Sequence, residues 1–227
     1  MTGKWANWNH SGFGIIGGIS TTDFHVVDYN GLPNHLSLIN ANFGYGYGRG
    51  HSIILDSSYR IVAEVHTGNG RVSGDLHEFN VLPGGKTALQ SIYQPIAADL
   101  TAYNVTGGQG WLLDNLFQEI DIETGAFLFE WRASTHVDLA DSYLPLTRTA
   151  GTTPVLAWDF FHLNAVDKDS GGNYVVSSRH YSSIYSISST TGEILWTSTA
   201  RPRPAPTTPS RTSPSVSSMT SAIAATR

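Results

Sequence analysis

The chain has 227 residues, 40% of them apolar and 14% charged, so it can bury a sizeable core. A formal net charge of -5 offers no basic field to a nucleic-acid backbone, and no stretch reaches the roughly 18–20 apolar residues that a membrane span needs. Cysteine is absent, which excludes disulfide staples and thiolate metal sites and leaves His and carboxylates as the ligands for any metal.

The start, MTGKWANWNHSGFGIIGGIS, lacks a basic region followed by a long apolar run, so nothing in it directs secretion and the compartment stays open. The sequons Asn9-His10-Ser11 and Asn104-Val105-Thr106 matter only if the chain enters a secretory pathway. From Val26, VVDYNGLPNHLSL predicts a hairpin. GYGYGRG (44–50) has no strand-to-helix context and reads as a flexible channel loop rather than a phosphate loop. ILDSSYRIVAEV, from Ile54, predicts a second hairpin with Arg60 where related turns carry glycine. HEFNVLPGGKTAL, from His77, is a strand, a glycine turn and a strand, and EIDIETGAFLFEW (119–131) is a hairpin about a Thr-Gly turn. The pair recurs as HLNAVDKDSGGNYVV, from His162, and SISSTTGEILW (186–196). Beyond Trp196 the composition turns to Ser, Thr, Pro and Ala with no acidic or aromatic residue, and this stretch is expected to be disordered or to be a misread exon end.

No capped helical period is evident, so the expected class is all-β. Each strand–turn–strand unit joined to the hairpin after it gives four antiparallel strands, and repetition of such units is the signature of a β-propeller. The chain supplies about three to four blades; a sandwich or stacked hairpins is the alternative.

Three segments concentrate polar side chains: DLHEF (75–79), FHLN (161–164) and SSRHYSSIY (177–185). Strand alternation would put His162 and Asn164 on one face, the Gly171-Gly172 turn would return Arg179 beside them, and repetition would set His77 next to His162. Imidazoles, a carboxamide and a guanidinium together suit an oxyanion such as a sulfate or phosphate ester. The plainer reading of any one histidine is a ring satisfied by a backbone carbonyl. A cation site from His77-Glu78, His162 and His180 lacks a supporting spacing, and the DKDSGGN turn (167–173) lacks the length of a calcium loop. Trp111 or Trp158 could offer an aromatic surface to a phenolic ligand.

The blocks GRGHSIILDSSYRIVAEV, DLHEFNVLPGGKTAL, FQEIDIETGAFLFEWRASTHV, FFHLNAVDKDSGGNYVVSSRHYSSIY and TTGEILW, in this order from Tyr29 to Trp196, resemble the arylsulfotransferase family, in particular its fungal-type branch. The resemblance implies a six-bladed propeller that moves a sulfuryl group from an aryl sulfate to a phenol through a sulfohistidine, with no cofactor or nucleotide donor. It implies His162 and Asn164 as the His-x-Asn motif that holds the sulfuryl oxygens, Arg179 as its arginine, and His77 as a proton partner for the phenolic oxygen. The Gln-His-Asp motif that supplies the family's nucleophile occurs nowhere in the sequence. The expectation is therefore a C-terminally truncated propeller over 1–196, with a tail over 197–227, that turns over little or nothing alone. A nonenzymatic module binding a small anion, an aromatic ligand or a protein is the alternative. Open blade faces would invite self-association.

Overall fold

A computed structural model describes residues 19–200 apart from 45, 72, 106–108 and 148; the Asn9 sequon and most of the expected tail lie outside the described residues. Twelve strands run in order: β1 (Ile19–Tyr29), β2 (Leu32–Gly44), β3 (Tyr47–Leu55), β4 (Ile61–Val65), β5 (Phe79–Val81), β6 (Thr87–Ala98), β7 (Gly110–Asp121), β8 (Phe127–Arg132), β9 (Leu163–Lys168), β10 (Tyr174–Ser178), β11 (Ser183–Ile187) and β12 (Ile194–Thr199). They form three four-stranded antiparallel meanders, β1–β4, β5–β8 and β9–β12. The described chain is all-β, with only short 3-10 turns besides, and its open set of sheets fits an incomplete propeller. No helix among the described residues is long and apolar enough to cross a membrane.

The turns follow from their residues. Tyr29 pairs with Leu32 across Asn30 and Gly31, whose φ values of 52° and 76° are both in the left-handed region that a two-residue hairpin of this type demands. Both Thr-Gly turns close alike, with Gly125 N donating to Asp121 O and Gly192 N to Ser188 O, each at 2.9 Å. Three sequence expectations change. VVDYNG joins the first two strands of its sheet, so it matches the units that begin at His77 and His162 rather than the Thr-Gly hairpins with which the sequence groups it. The described part of GYGYGRG is a tight turn at Gly46 leading into β3, not a flexible loop, because Tyr47 to Gly50 pair with β2. The last strand continues past Trp196 to Thr199, and Ala200 N donates to Ser182 O at 2.9 Å.

The middle sheet is apolar on both faces, and this stacks the three sheets in chain order. Ala88 and Ile120 meet Ile54 and Val65 of the first sheet, while Leu89, Phe117 and Trp131 meet Leu163, Val166, Tyr174 and Val176 of the third. Neighbouring residues on β6 thus serve opposite cores, as strand alternation requires. At both junctions a carboxylate of one first strand, or of the residue just before it, caps a backbone N–H in the next. Asp23 Oδ2 accepts from Phe79 N at 2.9 Å, and Glu78 Oε2 accepts from Val166 N at 3.3 Å.

Burial, then the nearby Asp23 and Asp167 charges, push the Glu78 carboxyl up to about 7 against the Val166 hydrogen bond. The folded chain therefore holds a proton that the unfolded chain releases near the ordinary carboxylate range. The associated stability is fully present below that range and is lost as pH rises toward 7. Glu78→Gln keeps the acceptor and removes the charge. Thermal melts should show the parent losing stability between about pH 5 and pH 8, by ~2–4 °C for each kcal/mol, with a flatter profile for Glu78→Gln. Equal slopes would contradict this.

Candidate functional site

Two histidines stand at equivalent places, just ahead of the first strands of successive sheets: His77 before β5 and His162 immediately before β9. Each is held by an aspartate slightly upstream. The Asp75 side chain is fully buried; its Oδ2 accepts from His77 Nδ1 at 2.6 Å and His77 N at 2.9 Å, and its Oδ1 accepts from Gly48 N of β3 at 2.6 Å. Asp159 Oδ2 accepts from His162 Nδ1, and the Asp159 carbonyl accepts from His180 Nδ1 at 2.6 Å. With Nδ1 of all three rings engaged, each Nε2 is the nitrogen left for a ligand.

His162 has φ 56°, the left-handed region, at a cost of about 1–2 kcal/mol for a side-chain-bearing residue. It is held there from both sides: Arg179 N donates to its carbonyl at 2.9 Å, and Leu163 N donates to Asn115 Oδ1 at 3.0 Å. The conformation turns the ring out of the strand pattern and toward its neighbours. The His162 ring centroid lies 4.8 Å from that of His77 and 4.8 Å from that of His180. Tyr93, from the middle of β6, stacks on His77 at 5.0 Å and donates its hydroxyl to Leu163 O at 2.8 Å. Burial, with the Asp159 and Asp75 charges, raises the Tyr93 pKa well above the usual phenol range, so the hydroxyl stays protonated.

Arg179 follows β10 with an exposed side chain that is in no ion pair among the described residues. Its backbone N–H donates to His162 O at 2.9 Å, which places the residue beside this cluster, and its charge acts on Tyr93 and His180. Burial lowers the His180 pKa, and the His162 and Arg179 charges add to that effect against Asp159, so His180 is neutral at neutral pH.

The structure thus brings together His77 and His162, with the Arg179 charge alongside. Asn164 differs. His162 precedes the strand, so alternation does not align the two side chains. Asn164 occupies the bulge where Ser177 pairs with Ala165 and Ser178 with Leu163; it is exposed, and no hydrogen bond among the described residues joins it to the cluster.

Ligating atoms of Asp159, His162 and His180 lie within 4.8 Å of one another, a closeness that their mutual hydrogen bonds account for. Glu78, paired with His77 in the cation reading from sequence, points instead to Val166. In the DKDSGGN turn, Asp169 Oδ1 accepts from Gly171 N and Asn173 N at 2.8 and 2.9 Å, the bonds of a self-closed hairpin turn. Trp158 is buried and donates its indole N–H to Leu144 O at 3.2 Å, so it is core; Trp111 lines a cleft.

Asp75, Asp159 and Tyr93 are the site residues that the sequence reading leaves unassigned. The first two do leave a trace, since each histidine has an aspartate two or three positions ahead of it: Asp75-Leu76-His77 and Asp159-Phe160-Phe161-His162. Tyr93 leaves none, being one apolar residue among many in a long strand.

No curated protein matches the chain. Among solved structures, a protein of unknown function from Bacteroides caccae aligns at 13% identity with a TM-score of 0.41, over 85% of this chain and 50% of that one. The present chain thus spans about half the length of that neighbour. The family described as arylsulfotransferase (ASST) matches residues 34–201, a span holding both Asp–His pairs, Tyr93 and Arg179. With most of its length matched, the chain belongs to the arylsulfotransferase family.

Proposed function

We propose that the cluster binds the sulfuryl group of an aryl sulfate, with Arg179 and His162 as holders of its oxygens and His77 as the group that exchanges a proton with the phenolic oxygen. What carries this reading is the meeting of two aspartate-anchored imidazoles at 4.8 Å, beside an arginine that no carboxylate neutralises among the described residues. An aspartate accepting from Nδ1 fixes each ring's orientation and leaves its Nε2 to face an anion. The guanidinium fork adds a permanent charge with planar donors suited to tetrahedral oxyanions. His77, with its Nδ1 proton held by Asp75, can pass a proton from Nε2 to a departing phenolate and take one from an incoming phenol.

In the family reaction that this resembles, the sulfur–aryl oxygen bond breaks as a sulfur–nitrogen bond forms on a nucleophilic histidine, and an acceptor phenol reverses the step. No Gln-His-Asp tripeptide lies in the 227 residues, and this favours a second reading, a module that holds the anion without transferring it. Assayed with 4-nitrophenyl sulfate and phenol, the chain alone should bind the sulfate ester and release no phenol-dependent 4-nitrophenolate. Robust release would show that a histidine already in this chain serves as nucleophile.

The same proposal takes the three sheets as part of a six-bladed, fungal-type ring that includes β12 to its end at Thr199, with a separate tail beyond it. Ile184, Leu195 and Trp196, all substantially exposed on the third sheet, support self-association through an open face.

A further inference from the structure

A cleft of about 380 Å³ shares Tyr93 with the histidine cluster. This is at the small end of the roughly 300–1,000 Å³ typical of ligand pockets, with room for a one-ring compound. Its walls include Tyr93, Trp111 and Pro95, and its polar groups are Arg49, Ser73 and Gln94. Tyr93 is the shared wall: one face of its ring stacks on His77 at 5.0 Å, and the residue also borders the cleft.

The cleft joins two features. Arg49 is exposed and makes no ion pair among the described residues, in contrast to Arg71 and Arg132, which are tied to Glu130 and Asp114. In a chain whose formal net charge is -5, an arginine left without a carboxylate at the lip of an aromatic pocket is a free receptor for an anion. Gln94 is anchored, its Oε1 accepting from Arg71 Nη1 at 3.2 Å, which leaves its amide hydrogens as further donors. Flat walls on one side and a guanidinium fork at the lip match a flat ring bearing a carboxylate.

We propose that this cleft binds a one-ring aromatic carrying a carboxylate, the ring against Trp111 and Pro95 and the carboxylate on Arg49. It would make aromatic acids, rather than neutral phenols, the favoured aryl compounds of this protein. Its place in a reaction rests on the sulfuryl-binding reading above, but the binding itself does not.

Calorimetric titration of 4-hydroxybenzoate and of its methyl ester into the full chain tests this, with Arg49→Gln and Arg179→Ala in parallel. The acid should bind about tenfold more tightly than the ester, the yield of one charge-assisted contact. Arg49→Gln should bring the two to equal affinity, and Arg179→Ala should keep the preference. Because Arg49 is exposed, the substitution leaves the core untouched. Absence of binding by either compound, no preference in the parent, or a preference that survives Arg49→Gln would overturn the proposal. So would a preference lost only in Arg179→Ala, which would seat the carboxylate at the histidine cluster. Sulfate affinity, measured separately, reports on the sulfuryl reading, so the two can fail independently.

Discussion

Asp75→Ala should destabilise the fold and disorder the site together. The carboxylate sits at the join of the first two sheets and takes N–H donors from Gly48 and from both the backbone and the ring of His77. Ser91 Oγ adds a long contact at 3.4 Å. Removing it strands buried donors, each worth about 1–3 kcal/mol, so a net loss of ~3–5 kcal/mol is expected. Chemical denaturation should show a lower midpoint with little change in slope.

Asp75→Asn separates the two roles. Asn can still accept from Gly48, but if its amide nitrogen faces Nδ1 it must find an acceptor there, which turns His77 to the other tautomer and puts the proton on Nε2. Only part of the stability should return, because an amide nitrogen at that position also leaves the His77 backbone N–H without its acceptor, while the pH dependence of anion binding should shift relative to the parent. If Asp75→Asn matches the parent in both stability and pH profile, Asp75 does not position His77.

The hairpins are legible in the sequence because their causes are local. Asn30-Gly31, Gly84-Gly85 and the two Thr-Gly turns all require a positive φ that glycine or asparagine tolerates, and the residues around them alternate. The adjacency of His77 and His162 is legible for a related reason, since each opens the first strand of its unit and successive units pack side by side. Which position a hairpin takes within its sheet is not local. VVDYNG resembles the Thr-Gly hairpins as a hairpin, and only pairing with β3 shows it to be the first of its sheet.

The finer geometry of the site escapes the sequence where the backbone leaves the strand pattern. His162 at φ 56° and the bulge at Asn164 both break the two-residue period on which a shared face was argued, and neither carries a glycine or proline to announce it. The Asp partners escape for another reason. An Asp-x-His or Asp-x-x-His spacing becomes a hydrogen bond only in an irregular segment, where the side chains fold back on each other. The junction carboxylates show the same limit, because Glu78 follows His77 in sequence yet serves the contact with Val166.

Arg179→Ala addresses the anion site itself. Arg179 is an exposed residue, so the substitution removes charge from the cluster without opening the core. A hydrogen bond to a charged group contributes about 1.5–3 kcal/mol, which is a loss of roughly 10–150-fold in affinity. Calorimetric titration of sulfate into the chain and into Arg179→Ala, in low salt near neutral pH, is the most direct measurement of whether this cluster grips a sulfuryl-like anion. The parent should bind sulfate, and the variant should bind it at least about tenfold more weakly. Equal affinities, or no sulfate binding by the parent, would contradict the anion-binding role given to His162 and Arg179.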